Sequence, residues 1–229
     1  MIIGRGMIAN ELKEIDQDGV IFFCSGVSNS NEQNNQEFER EKKMLLSLIP
    51  TNKKLIYFSS YFVNFENYCK KQYYRHKVEI EQMIQNLFEE FTIYRLPQAV
   101  GKSYNPNTLT NFIANTLINN EVLPIYKGAK RNLIDIEDVK KVVNCANKYH
   151  LFYNQIINLI APKNYDIDEI VTVFESIFDV ESRKQYFVSN EVEFEILLSN
   201  ELKELYTKLQ INFDEFYLEN LINKYYKRS

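Results

Sequence analysis

Cysteine is scarce and scattered in this 229-residue sequence: Cys24, Cys69 and Cys145 are odd in number and widely spaced, with no Cys-x-x-Cys pair. Neither a disulfide scaffold nor a structural zinc finds its motif. Histidine is scarcer still, and His76 and His150 alone make a poor ligand set, so no metal site is expected. No apolar stretch approaches the roughly 18 residues that a membrane span needs. The opening MIIGRGMIAN puts glycines and a charge where a secretion signal carries its apolar run. A cytoplasmic chain with no membrane insertion is the expectation. An excess of positive charge is also missing: 27 Lys and Arg against 31 Asp and Glu leave a net charge of −4, which gives nucleic acid no electrostatic footprint. Internal repeats and low-complexity linkers are absent as well.

What is present is the composition of a folded protein. Hydrophobic residues make up 45% and aromatic residues 14%, with 16 Tyr and 16 Phe. The length suits one well-buried core, or a core with a small appended lobe. Along the chain, short apolar runs alternate with helical periodicity. Residues 1–3 read as an abrupt strand, followed by Gly4-Arg5-Gly6-Met7-Ile8-Ala9 and a helix-compatible run to about Glu14. This is GxGxxA between strand and helix. Its small residues permit a tight turn and let a pyrophosphate approach free helix N–H groups, although a tight turn with no ligand reads much the same.

Val20 to Cys24 is a continuous apolar run, as in a parallel strand covered on both faces. It ends in a polar small-residue loop, Ser25-Gly26-Val27-Ser28-Asn29-Ser30. Helices are predicted from about Gln36 to Ile49, Lys77 to Phe88, Thr108 to Asn119, into Val139, and from Asp166 to Ile177. Strands are predicted at 54–58, 91–96, 122–126 and 155–159, and helix again from about Asn190 onward. The alternation argues an α/β fold with a layered parallel sheet, whose ligands sit beyond the carboxyl ends of its strands. The irregular passage from Pro97 to Pro106, holding Lys102 and followed by Asn107, is either a substrate-side loop or an ordinary surface excursion.

The sharpest chemical signal is Ser60 with Tyr73-Tyr74-Arg75-His76-Lys77. Tyr73 and Lys77 are four positions apart and share a helix face. An ammonium beside a phenol favours the phenolate, and a serine hydroxyl can hold the substrate oxygen that exchanges the proton. Tyr and Lys four apart also occur on any lysine-rich helix without chemical purpose. Arg131 offers a guanidinium fork suited to phosphate, or else sits solvated at a strand end. Asp135 and Asp138 read as capping or joining groups.

In order along the chain, GRGMIA (4–9), IYFSSYFV (56–63), YYRHK (73–77), YRLPQAVG (94–101) and RNLIDIEDV (131–139) make the sequence resemble the extended short-chain dehydrogenase/reductase family, in its nucleotide-sugar epimerase/dehydratase branch, over roughly residues 1–175. The resemblance implies a Rossmann-like parallel sheet with helices on both faces, reduced in strand number, plus a small, mostly helical C-terminal substrate lobe. It places the shortened dinucleotide-binding core in 1–100 and the substrate-side lobe in 101–229, with 131–160 returning to the core sheet. It implies NAD or NADP as cofactor, bordered by Gly4, Arg5, Gly6, Met7, Ile8, Ser25, Gly26, Tyr73, Lys77, Leu96 and Pro97. Ser60, Tyr73 and Lys77 would be catalytic: Tyr73 as acid or base, Lys77 lowering its pKa and holding the nicotinamide ribose, Ser60 positioning the sugar oxygen. Ser60, Asn107 and Arg131 would contact a nucleotide-linked sugar, with Arg131 on the diphosphate. A homodimer through helices including that of Tyr73 and Lys77 is also implied.

Two departures narrow this reading. Between the first helix and the strand at Val20 lie only Ile15 to Gly19, where the family fits further strands and the residue that reads the adenine ribose, so the choice between NAD and NADP stays open. Ser60 is followed by Tyr61-Phe62 in place of the Asp-Glu pair of sugar 4,6-dehydratases, which disfavours dehydration relative to epimerisation or ketone reduction. The expected function is an NAD(P)-dependent nucleotide-sugar epimerase or ketoreductase in cell-surface polysaccharide biosynthesis. The alternative is a catalytically degenerate Rossmann-like binding or regulatory subunit.

Overall fold

A computed structural model describes residues 1–188 and 194–227. In chain order its strands are β1 (Ile2–Ile3), β2 (Val20–Phe23), β3 (Lys54–Ser60), β4 (Phe91–Leu96), β5 (Gln98–Val100), β6 (Val122–Lys127), β7 (Lys130–Arg131), β8 (Leu133–Asp135), β9 (Gln155–Asn158), β10 (Tyr165–Asp166) and β11 (Arg183–Val188). The helices are α1 (Met7–Glu11), α2 (Asn35–Leu46), α3 (Gln72–Leu87), α4 (Leu109–Ile118), α5 (Ile136–Lys148), α6 (Ile167–Phe178), α7 (Asn200–Lys208) and α8 (Tyr217–Tyr226). The chain forms two units, one from 1–97 with 136–159 and one from 98–135 with 160–229.

The first unit is an α/β layer structure around a five-stranded parallel sheet of order β1-β2-β3-β4-β9. Every residue of β2 and β3 is buried, which is why these strands read as unbroken apolar runs. Ile21, Phe23, Leu55, Tyr57 and Ile93 pack with Leu45 of α2 and with Ile80 and Ile84 of α3 on one face. The alternate residues Phe22 and Ile56 are equally buried but belong to the other face, as the two-residue strand period requires. There α1 packs on α5, and Lys140 of α5 reaches Glu11 at 2.6 Å and Glu14 at 2.7 Å.

Strands advancing in one direction through right-handed crossovers carry their helices on one face, as α2 and α3 are carried. Lying with α5 instead, α1 fits a doubly wound sheet that lacks the strands beyond β1. The chain passes from a 3₁₀ turn at Leu12–Ile15 to β2 in four residues, with room for nothing more.

The second unit holds α4, α6, α7 and α8 with three two-stranded ladders: β5 with β8, β6 with β11, and β7 with β10. Its core gathers Ile113, Leu117, Leu123, Ile125, Ile170, Phe174, Leu221 and Ile222. Thr108 and Ser199 cap α4 and α7 by accepting from the backbone N–H groups of Asn111 and Leu202. The helix expected through Lys77 begins at Gln72, which puts Tyr73 and Lys77 on it together. Two expectations shift. Pro97 to Pro106 is not wholly irregular, because β5 lies inside it. The first residues of the helical run expected from about Asn190 lie outside the described residues; the chain is irregular from Phe194 to Ser199, and α7 begins at Asn200.

Candidate active site

The carboxyl ends of β2, β3 and β4 bring several of the sequence's candidates onto one side of the sheet. Ser60 is the last residue of β3 and pairs in register with Leu96 at the end of β4, next to Pro97. The Ser60 hydroxyl accepts from the Phe62 N–H at 3.4 Å and so caps the 3₁₀ turn Tyr61–Asn64. That turn and β3 both pack against α3, which carries Tyr73 and Lys77. The four-residue spacing does what it should: the Lys77 ammonium lies 5.6 Å from the centroid of the Tyr73 ring.

What surrounds Lys77 was not anticipated. The side chain is almost fully buried, and its Nζ donates to the Tyr57 hydroxyl at 2.8 Å and to Glu41 Oε1 at 3.2 Å. Glu41, on α2, has no exposed surface. Its Oε1 also accepts from Tyr57 Oη at 2.7 Å, and its Oε2 accepts from the Val27 N–H at 2.7 Å. His76 Nε2 stands 2.9 Å from Oε2, and since a carboxylate only accepts, Nε2 is the ring nitrogen bearing the proton. The other nitrogen, Nδ1, is buried without a partner.

Burial by itself would raise the proton affinity of Glu41. The Lys77 charge and the hydrogen bonds from His76, Val27 and Tyr57 together outweigh it and hold the carboxyl well below the usual range. Tyr73 moves the other way: burial raises its phenol well above the ordinary value, and the negative charge of Glu41 adds to the rise. The direction is opposite to the lowering by Lys77 that the resemblance implies, with burial of the phenol as the main cause and the Glu41 charge as the second.

The glycines divide by what crowds them. Gly4 has φ +134°, and a side chain there would meet the carbonyl oxygen of Cys24 at 2.6 Å, so the turn and the neighbouring strand end demand glycine. Gly26 lies against the Lys77 and Glu41 cluster, where an added methyl would stand 2.6 Å from Lys77 Nζ and 2.9 Å from Glu41 Oε1. Gly6 begins α1 in extended geometry with open space around it, so neither backbone nor neighbour requires it. Arg40 closes over the end of β2, donating to the Ser25 carbonyl and hydroxyl at 3.3 Å. Arg5 is exposed, and Met7 and Ile8 are partly buried on α1.

The remaining candidates belong to the second unit. Asn107 is exposed, and its N–H donates to Asn105 Oδ1 at 3.0 Å. Arg131 is half-buried on β7, with one guanidinium N–H donated to the Lys130 carbonyl at 2.8 Å. Asp135 is tied within the second unit, receiving Lys224 Nζ at 2.7 Å and Tyr225 Oη at 2.6 Å from α8.

Glu41 was the functional candidate that sequence reading missed, and it left a signal. Phe38, Glu41, Leu45 and Leu48 form one helical stripe, and a lone carboxylate among buried apolar positions needs cationic or N–H partners.

No protein-family model and no curated protein sequence matches the chain. Solved structures do. UDP-glucuronic acid 4-epimerase from Bacillus cereus, in complex with UDP-glucuronic acid and NAD, superposes with a TM-score of 0.67 at 16% identity, over 94% of this chain and 76% of that one. UDP-N-acetylglucosamine 4-epimerase from Methanobrevibacter ruminantium, in complex with UDP-N-acetylmuramic acid, gives 0.68 at 18% identity over 92% and 78%. dTDP-glucose 4,6-dehydratase from Bacillus anthracis, in complex with NAD, gives 0.67 at 14% identity over 96% and 77%. The fold is that of the nucleotide-sugar epimerases and dehydratases of the extended short-chain dehydrogenase/reductase type. Among the described residues it has no strand beyond β1.

Proposed function

We propose that the protein is an NAD(P)-dependent enzyme acting on a nucleotide-linked sugar, an epimerase or ketoreductase serving cell-surface polysaccharide synthesis in the cytoplasm. The observation that carries this reading is the grouping of Ser60, Tyr73 and Lys77, with Lys77 Nζ 5.6 Å from the Tyr73 ring, where α3 packs on β3.

The nicotinamide end of a dinucleotide fits the residues present. Two of the three ammonium N–H groups of Lys77 have acceptors among the described residues, leaving one for a ribose hydroxyl. Gly6 leaves open the space that a pyrophosphate needs, and Ser25, Leu96 and Pro97 stand at strand ends. When bound, the nicotinamide would supply or accept hydride. Tyr73 would hold the proton exchanged with the sugar hydroxyl, Ser60 would orient that oxygen, and Arg131 and Asn107 would bind the nucleotide portion. Neighbours of this fold were captured with UDP-sugars and with NAD, which supports the substrate class.

Tyr73→Phe is expected to lower turnover of a nucleotide-linked ketosugar with NAD(P)H by about 10²-fold or more while leaving dinucleotide binding intact. Near-normal turnover would remove Tyr73 from the chemistry. Arg131→Ala is expected to weaken nucleotide-sugar binding by roughly tenfold, and unchanged affinity would count against a diphosphate contact.

One observation favours a second reading, that of a binding or regulatory subunit: among the described residues the sheet stops at β1, so its strand order does not reverse to form the crevice that seats a dinucleotide. Calorimetric titration with NADH and NADPH separates the two, since saturable one-to-one binding supports the enzyme and no binding by folded protein supports the subunit.

A further inference from the structure

We propose that Glu41 keeps Tyr73 as a proton donor, so that the site reduces a carbonyl and does not begin by oxidising an alcohol. The inference rests on the enzymatic reading above and chooses between its two reactions. A lysine promotes ionisation of a neighbouring phenol because its positive charge is uncompensated. Here a buried carboxylate compensates that charge at 3.2 Å, with both side chains almost wholly closed to bulk solvent.

Among the described residues, the charged groups on the elements packed around Tyr73 and Lys77 are turned to partners other than the Tyr73 phenol. On α3 itself, His76 is turned to Glu41, and Glu81, one turn beyond Lys77, is matched by Arg95 of β4. From β3, Tyr57 directs its proton at Glu41. From α2, Lys42 is paired with Glu39 and Glu79, Arg40 with Glu37 and Ser25, and Glu41 is held ionised by its four donors. Tyr74 meets the Tyr73 ring edge-on at 4.9 Å and carries no charge. With the ammonium and carboxylate cancelling, nothing favours the phenolate, in agreement with the upward direction of the Tyr73 pKa.

A protonated tyrosine can give but cannot first take. In the reduction its O–H bond breaks, the carbonyl oxygen of the sugar gains that proton, and the carbonyl carbon gains the hydride of a dihydronicotinamide, which is thereby oxidised. Solvent then returns a proton to the phenolate. Epimerisation begins with the opposite transfer, from sugar hydroxyl to phenolate, and that first half is the one Glu41 penalises.

The test is a pH titration of protein labelled with 13C at Cζ of tyrosine, followed by NMR, with the Tyr73 resonance assigned by its loss in Tyr73→Phe. In the native protein the Tyr73 signal is expected to keep its phenol position beyond the ordinary tyrosine value of about 10. In Glu41→Gln its midpoint is expected to fall by about one pH unit or more. A native midpoint at or below about 10, or no fall in Glu41→Gln, overturns the proposal. If Glu41→Gln does not fold, the same titration of Glu41→Met decides, because burial alone also holds the native phenol up. Binding of NADH with an early Tyr73 midpoint defeats only the proton-donor assignment. A late midpoint with no NADH binding defeats the enzymatic reading, and the choice of reaction falls with it.

Discussion

Two buried ion pairs hang from the same helix and are built differently. Toward β4, Glu81 is gripped by Arg95, whose Nε and one terminal nitrogen reach its two carboxylate oxygens while the other donates to Asn64 Oδ1 at 2.6 Å. Asn64 in turn donates to the Tyr61 carbonyl and to Asn158 Oδ1, tying the turn after Ser60 to the end of β9. Toward α2, Glu41 meets Lys77, a point charge with one N–H to spare. The planar fork fixes geometry and leaves little over, which suits a structural brace. The ammonium stays able to bind something else, which suits a site. The comparison separates buried charge that holds the fold from buried charge that prepares chemistry.

The largest effect that would sharpen this contrast is expected from removing the more deeply buried carboxylate. Glu41→Ala leaves the Lys77 ammonium enclosed without its counter-ion and should cost about 3–5 kcal/mol in urea unfolding. Glu81→Ala should cost less, roughly 2 kcal/mol, because Arg95 is partly exposed and keeps Asn64. Equal losses would erase the distinction.

Among the glycines, Gly4→Ala forces a side chain onto the Cys24 backbone at positive φ and should destabilise by about 3 kcal/mol. Gly26→Ala meets only the movable end of Lys77 and Glu41, and should cost about 1–2 kcal/mol while pushing the ammonium off its partner. Gly6→Ala should change stability by under about 1 kcal/mol yet weaken dinucleotide binding, a separation that calorimetry and unfolding together can read.

Acid provides the most general test. The folded-state pKa of Glu41 is depressed, so the stability this group contributes is complete above its unfolded value, near 4.3. It is lost progressively as pH falls below that toward the folded value. Thermal unfolding should therefore show a Glu41-dependent loss confined to pH below about 5, absent in Glu41→Gln.

The legible parts of this molecule were those where burial writes a simple pattern. β2 is an apolar run, β3 and β4 are mostly apolar and aromatic, and α2, α4 and α6 carry regular stripes. β6 was read at 122–126, but its partner β11 and the short strands β5, β7, β8 and β10 were invisible. Two or three residues show no period, and β11, Arg183–Val188, is mostly exposed and begins with charge. The exact start of α3 was hidden because Lys71-Gln72 offers no capping side chain. Ser60, Tyr73 and Lys77 could be named from type and spacing. The counter-ion of Lys77 could not, because it arrives from 36 residues away on another helix.

The sheet of the first unit is drawn from two stretches of chain, and its last strand, β9, follows the 38 residues from Gln98 to Asp135 that belong elsewhere. A ribosome therefore releases β1 to β4 well before the strand that completes them. Until then β4 is an edge, the Thr92 hydroxyl lacks the Phe152 carbonyl it will bind, and Asn64 lacks Asn158. Such late, non-local pairing makes for slow folding and a nascent chain in need of protection.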